Sequence, residues 1–387
     1  MTRPVANLFK FSLPSEMAIK VWVLAPAIES NDENIDYYYD FTQSVAEYTS
    51  VFKELDVPWE WKEINLNNFK DVIDKIETEI EFPIVLNLCD GDEINGAPGV
   101  SVIKYLEEKE MVYTGSDEFF YNITTSKIPM KIAFDKAGVS NAVWTFFRNK
   151  DEFNAEEILN KTGVPVIIKP AVSGGSMGVG IKNVVDNKEE LSILVDDLLN
   201  GYRGWNLNAG GIIAERFITG PEFTVFISGS HDRPNDAVIY TPVERVFHQS
   251  LPEKEKFLSF DRLWEIYETE SPMPAEENFY EYHLPDHSLI DSIKQISWNA
   301  YVATKGMGYT RVDIRMDLET QKLYVLEVNA QCGISEDENF TSIGAILKFS
   351  GRTFSQLIEE ILNDAIKRGY SKIISHVNNN KKKAIRS

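Results

Sequence analysis

The chain is poor in cysteine, in positive charge and in long apolar runs, and each shortage closes off a class of function. Only two cysteines occur in 387 residues, Cys89 and Cys332, so no disulfide framework holds a chain of this length. Both sit in apolar or motif-like surroundings and read as packing thiols in a reducing, cytoplasmic setting. Basic residues number 39 against 60 acidic ones, a formal charge of −21. A field of that sign repels nucleic acid and anionic membrane, so neither is expected as a partner. Any anionic ligand must be held by a local cluster of cations. No apolar run approaches the roughly 20 residues of a membrane helix. The N-terminal stretch MTRPVANLFKFSLPSEM lacks a sustained apolar core and is broken by Pro14, unlike a signal peptide. The polar, basic tail over 378–386 is expected to fray. What remains is a globular balance, 43% hydrophobic and 26% charged, in a chain long enough for two or three lobes.

Periodicity divides the chain. Residues 19–25 and 83–88 read as buried strands, the second leading to a turn at Asp90 and Gly91. Between them Val45, Tyr48, Val51, Phe52 and Leu55 follow a helical period. A helix over 100–109 and a strand over 111–113 complete a strand–helix alternation that predicts a small α/β lobe with a mostly parallel sheet. A second unit is expected near residue 117, with a helix over 126–138 and a strand over 164–169. The glycine-rich turn SGGSMGVG follows, then a strand over 180–184 and a helix over 188–199. The third unit opens with strands over 211–217 and 222–227, separated by Gly220 and Pro221. A helix over 289–305, strands over 311–317 and 322–328, and a helix over 353–368 close it. Residues 229–287, dense in Pro, Glu and aromatics, read as a long mobile excursion. The expected domains are 1–116, 117–213 and 214–387.

Three stretches carry candidate chemistry. Within RVDIRMD (311–317) and YVLEVN (324–329), strand residues two apart share a face, so Arg311 lies with Asp313 and Glu327 with Asn329. If the strands pair, one wall carries Asp313, Glu327 and Asn329 with Arg311 beside them. Such oxygens suit Mg²⁺ against phosphate, and the guanidinium balances remaining charge. The bland alternative is a solvent wall of alternating charges. VIIKP (166–170) sets Lys169 at a strand end before SGGSMGV (173–179), whose backbone N–H groups can approach phosphate closely. This is neither a P-loop nor a dinucleotide fingerprint, and a plain flexible turn is its other reading. In IAERFITGPEFTV (213–225), Glu215 and Glu222 bracket a Gly-Pro turn, where carboxylates could accept from an adenine amino group and ribose hydroxyls. Taken singly, either would pass for surface charge.

In this order the stretches resemble the D-alanine–D-alanine ligase branch of the ATP-grasp superfamily, from about residue 83 to the final helix. The resemblance implies an α/β ATP-grasp fold, a parallel-sheet N-terminal lobe followed by two lobes that sandwich ATP. It places Lys127 and Lys169 on the nucleotide and Ser173, Gly174, Gly175, Ser176 and Gly178 over its phosphates, with Ser176 also near the reacting groups. It places Glu215 at the adenine with Phe217 and Ile218 beside it, and Glu222 at the ribose. Asp313, Glu327 and Asn329 would bind two magnesium ions, for which manganese can substitute. Arg311 and Gly333 would hold the oxyanion of a tetrahedral intermediate. The implied activity is ATP-dependent joining of a small-molecule carboxylate to an amine through an acyl-phosphate. Related ligases are often homodimers. The glycine loop and residues 246–275 are the implied lid.

The departures concern the substrates. Glu29 and Glu33 stand loosely where the family binds the first substrate's amine. Its His-Gly becomes Asp90 and Gly91, with Glu93 close behind. Gly175 stands at the lid's serine, and Arg262 is the cation nearest the lid's lysine. After the metal pair, AQCGISEDEN replaces a Pro-Gly-Met and a carboxylate-gripping serine. Glu336, Asp337 and Glu338 would repel a carboxylate and attract an amine. With Asp90, Glu93, Glu336 and Glu338 as substrate residues, the expected substrate is not D-alanine. Two rivals stand beside the ligase: a phosphotransferase of the same fold, and a nucleotide-binding module without catalysis.

Overall fold

The computed structural model describes residues 18–28, 39–201, 205–265, 267, 270–274, 277–337, 339 and 341–386, with side chains described to residue 374. Strands β1 (Ile19–Pro26), β2 (Trp59–Ile64), β3 (Phe82–Asn87) and β4 (Val112–Tyr113) form a parallel sheet in the order β2-β1-β3-β4. A parallel sheet is covered on both faces, so β1 is apolar at nearly every position rather than at alternate ones. Val21 and Val23 pack on α1 (Thr42–Leu55) through Tyr48, Val51 and Phe52. Trp22 and Leu24 face α2 (Phe69–Glu77) and α3 (Val100–Glu108) through Ile73, Ile76, Val102 and Leu106. The sequence reading places no element over 59–77, where β2 and α2 form.

Helices α4 (Glu118–Thr125) and α5 (Lys127–Ala137) lead into a second, antiparallel sheet. It contains β5 (Trp144–Phe147), β6 (Val166–Pro170), β7 (Val184–Val185) and β8 (Ile212–Arg216) in the order β5-β8-β6-β7. Helices α6 (Ala155–Thr162) and α7 (Lys188–Asn200) cover it. The strand expected over 180–184 is instead a 3-10 turn, Ile181–Asn183, before the short β7. Its cause is Asn183, whose amide donates to the carbonyls of Ile168 (2.7 Å) and Gly178 (2.9 Å) and accepts from Gly180 N (2.8 Å). A side chain that satisfies backbone groups locally competes with a ladder.

The third sheet comprises β9 (Glu222–Ser228), β10 (Val238–Ile239), β11 (Val243–Phe247), β12 (Tyr280–His283), β13 (Tyr309–Met316) and β14 (Leu323–Ala330). The order is β12-β11-β9-β13-β14, with β10 also on β9. The described part of 229–287 is therefore not one irregular excursion. Its strands, two to five residues long, are too short to show an alternation in sequence. The short α8 (Phe260–Trp264) crosses toward the second sheet, and α9 (Ile290–Ala303) backs the third.

After α10 (Ser342–Ser350), α11 (Phe354–Arg386) returns to the first lobe, and its backbone stays helical through the tail expected to fray. Leu357, Ile358, Ile361 and Leu362 pack into a core shared with Val21 and Leu86 of the first sheet and Phe226 and Tyr309 of the third. Each such buried side chain contributes roughly 1.5–3 kcal/mol, so this shared core fixes the first lobe against the third. Arg368 adds Nη2 bonds to the carbonyls of Tyr113 (3.0 Å) and Gly115 (3.1 Å).

Candidate functional site

One face of the third sheet gathers the polar residues. Antiparallel pairing sets Asp313 opposite Glu327 and Arg311 opposite Asn329, with a register shift just after Asp313. Across β9, Thr224 faces Asp313 and Glu222 faces Arg315, and Arg245 of β11 lies opposite Glu222. Asp313 accepts from Arg311 Nη2 (2.9 Å), Thr224 Oγ1 (3.0 Å) and Asn329 Nδ2 (3.0 Å). Burial alone would lower the Arg311 pKa, but Asp313 beside it reverses this and keeps the guanidinium charged. Among the described residues no three His, Cys, Asp or Glu side chains converge as a metal cage. The wall instead offers two carboxylates and an amide oxygen, a hard donor set that suits Mg²⁺ once phosphate or water completes it.

Lysines line the opposite side. Lys127, at the start of α5, bonds Ser173 O (3.3 Å) and Ser173 Oγ (3.5 Å), and its Nζ lies 3.9 Å from Glu327. Burial lowers its pKa, and Glu327 works against that. Lys131, one helical turn on, was not among the expected residues. It is 1% exposed and pairs at 2.5 Å with Glu215, which also pairs with Lys169. Burial would raise the Glu215 carboxyl, but the two lysines overcome it and hold the carboxyl at about 2. Glu215, expected at the adenine, is thus held between two lysines. Three lysines against Glu215 and Glu327 leave a local charge of 3 − 2 = +1 in a chain of −21. The available signal for Lys131 was its i+4 spacing from Lys127 in the otherwise apolar KIPMKIAF.

Glu222 is clamped by two arginines the sequence reading also missed. Arg315 reaches it at 2.9 Å and Arg245 pairs with its other oxygen. Arg315 also donates to Ile218 O (2.9 Å) and stacks over Phe217, both buried at the hinge. Arg315 was readable as the next inward position after Arg311 and Asp313. Arg245 was not, because its strand was not recognised.

The glycine loop is fastened to the segment around α8. Ser176 Oγ donates to Leu258 O (2.9 Å), Trp264 Nε1 to Gly175 O (3.0 Å) and Phe260 N to Val179 O (2.8 Å). Gly175 and Gly178 have positive φ, and a Cβ on Gly175 would lie 3.0 Å from the Trp264 ring. Around Gly174 there is open space. Arg262 is buried, ion-paired with Glu270 (3.1 Å) and Glu255 (3.2 Å). It braces this segment rather than standing as the cation expected at the lid.

Of the expected substrate residues, Asp90, Glu93 and Glu336 are described. Glu93, expected at the substrate, accepts from Gly99 N (3.1 Å), Ser101 N (2.6 Å) and Ser101 Oγ (2.8 Å), bonds that satisfy the free N–H groups at the start of α3. Glu93→Ala is accordingly expected to cost about 1–2 kcal/mol in denaturant unfolding while leaving substrate KM unchanged. Asp90 is an exposed residue, yet the protein packed around it desolvates the carboxyl and, with Asp92, pushes it up to about 6. Glu336 is exposed, and burial of its neighbourhood together with Glu47 raises its carboxyl. Glu47 itself accepts from Ser335 Oγ (2.7 Å). Gly333 is exposed with open space beside it. Cys332 is buried, and its thiol is pushed up to about 12, which removes it as a nucleophile. Glu29, Glu33 and Glu338 lie outside the described residues.

A parallel-sheet lobe followed by two antiparallel sheets, lysines and a glycine loop on one facing carboxylates on the other, is the ATP-grasp architecture of ATP-dependent ligases that form C–N bonds. The comparisons agree. The D-ala D-ala ligase C-terminus family model matches residues 133–363, more than half the chain, and the chain belongs to that family. The D-alanine–D-alanine ligase of Acetivibrio thermocellus is 25% identical over 337 residues, covering 85% of this chain and 78% of that protein. That of Marinomonas sp. is 27% identical over 289 residues, 74% of this chain and 78% of that one. The crystal structure of the Bacillus anthracis D-alanine–D-alanine ligase superposes with a TM-score of 0.64 at 18% identity, over 92% of this chain and 99% of that one. The same enzyme complexed with ATP gives 0.63. No described helix is long and apolar enough to cross a membrane.

Proposed function

We propose that the chain uses ATP and Mg²⁺ to activate the carboxylate of one D-alanine as an acyl-phosphate and passes the acyl group to the amine of a second. The expectation of a different substrate finds no support: the relatives just described carry the D-alanine–D-alanine ligase name, and Glu336 faces solvent rather than a closed subsite. The observation that carries the proposal is the opposed pair Asp313 and Glu327, with Arg311 beside it and Lys127 at 3.9 Å. In this reading ATP lies between lobes 117–213 and 214–387, and the donor enters from lobe 1–116.

Each residue then has a task. Lys127 and Lys169 offset charge on the phosphates, and the backbone of Ser173–Gly178 covers them. Glu222, fixed by its arginines, takes the ribose hydroxyls, with Phe217 and Ile218 beside the base. Asp313, Glu327 and Asn329 would hold Mg²⁺, which supplies Lewis-acid neutralisation of the transferring phosphoryl group. Arg311 and the N–H of the exposed Gly333 stabilise the oxyanion when the amine attacks. The joined glycine loop and α8 segment keep water from an intermediate that hydrolyses readily.

Incubation with ATP, Mg²⁺ and D-alanine should yield ADP, free phosphate and dipeptide in equal amounts. A phosphorylated product without free phosphate would establish the phosphotransferase instead, and absence of nucleotide binding the inert module. If ionised Asp90 helps hold the donor's ammonium group, donor KM should rise as pH falls through about 6, where that carboxyl takes up its proton. A donor KM flat from pH 8 to pH 5 would remove Asp90 from the site.

A further inference from the structure

We infer that Gln331 is a positioning residue, one buried amide that sets the donor wall of the first lobe against the metal strand of the third. The inference rests on the ligase reading above. Gln331 directly follows β14, two residues after Asn329 and two before Gly333. It is 1% exposed and adopts a left-handed backbone, φ +55°, which costs a non-glycine residue roughly 1 kcal/mol or more. What holds it there is its side chain. Oε1 accepts from Ser116 N (3.2 Å) and Ser116 Oγ (3.4 Å), at the end of the first lobe, three residues after β4. Nε2 donates to the carbonyls of Asn87 (3.0 Å) and Cys89 (3.2 Å), at the end of β3 and directly before Asp90. One planar group therefore ties two segments of the first lobe to the third where they meet the reaction site. Gly115 makes room for it: a Cβ there would lie 2.2 Å from Gln331 Oε1.

A planar amide with four bonds fixes distance and direction together. Loosening it lets the donor carboxylate drift relative to the phosphoryl group, while the nucleotide, held by other residues, stays in place. Misplacement by about 1 Å can cost on the order of a hundredfold in rate.

The test compares wild type with Gln331→Met, similar in shape without the hydrogen bonds, and Gln331→Glu, which keeps an acceptor for Ser116 but turns an oxygen toward two carbonyls. ADP released and dipeptide formed are counted together. In both variants the dipeptide made per ADP should fall about tenfold and donor KM rise by a similar factor. KM for ATP should stay within about twofold, and Ser116→Ala, which loses only the longest bond, should remain near wild type. An unchanged product ratio, or KM for ATP rising as much as donor KM, would overturn the inference and leave Gln331 a general structural residue. If neither variant melts cooperatively, hydrogen exchange on the wild type decides. Amides of 87–90 and 114–117 should gain protection together when ATP and D-alanine are added, and independent changes would refute the link. Failure of the wild type to make dipeptide would sink the ligase reading, while the exchange measurement would still judge the bridge.

Discussion

Asp313→Asn should lower kcat by roughly a thousandfold while leaving a folded protein. A carboxylate that would hold Mg²⁺ at the transferring phosphoryl group contributes several kcal/mol to the transition state, and each 1.4 kcal/mol is about tenfold in rate. The substitution keeps the side chain's shape and its bond to Thr224 while removing the charge that Arg311 is arranged around. Arg311 would lose its ion partner, but its side chain is 28% exposed and can be solvated, so the stability cost should stay near 1–2 kcal/mol. The outcome to look for is a split: melting temperature down by a few degrees, turnover nearly abolished, and nucleotide binding in the absence of Mg²⁺ little changed. Activity within tenfold of wild type would mean that β13 and β14 carry charges for some other purpose, and the assignment of the metal wall would fall.

Much of that wall was legible because the chemistry is written at the period of the element. Arg311, Asp313, Glu327 and Asn329 stand two apart in strands long enough to show alternation, and the pairing sets them in register. Lys127 and Ser173 were readable only through the order of motifs, since nothing local tells a solvated lysine from one aimed at a phosphate. What stayed hidden was cross-strand. Glu222 looks like a surface charge until β11 and β13 each set an arginine opposite it, and β11 is too short to declare itself. Glu93 hid its structural part for the opposite reason. A carboxylate in a Gly- and Asn-rich turn looks available for a ligand, whereas its three hydrogen bonds to the start of α3 are visible only once the chain is folded. Helical reach failed at Asn183 as well, where a side-chain amide captured the backbone that a strand would have used.

Lys131→Met should be the most destabilising single change in the cleft, costing about 3–5 kcal/mol, because it removes one counter-ion from a carboxylate that is itself 1% exposed. The expected signature is a lower denaturant midpoint with an unchanged slope, since no new surface is exposed in the native state. Glu215 adds a pH signature. Its carboxyl is held at about 2 against an ordinary value of 4.5, so its ionisation stabilises the fold above pH 4.5, and that contribution is lost as pH falls toward 2. Without Lys131 the folded-state value rises, the contribution shrinks, and the two stability curves should converge between pH 4.5 and 2. Adding Glu215→Gln to Lys131→Met should recover part of the loss, because a neutral amide tolerates the buried position better than a half-compensated charge. If Lys131→Met instead cost less than about 1 kcal/mol, Glu215 would need little from Lys131. The lysine pair would then be kept for an incoming polyanion alone, and nucleotide affinity, not folding, should register the change.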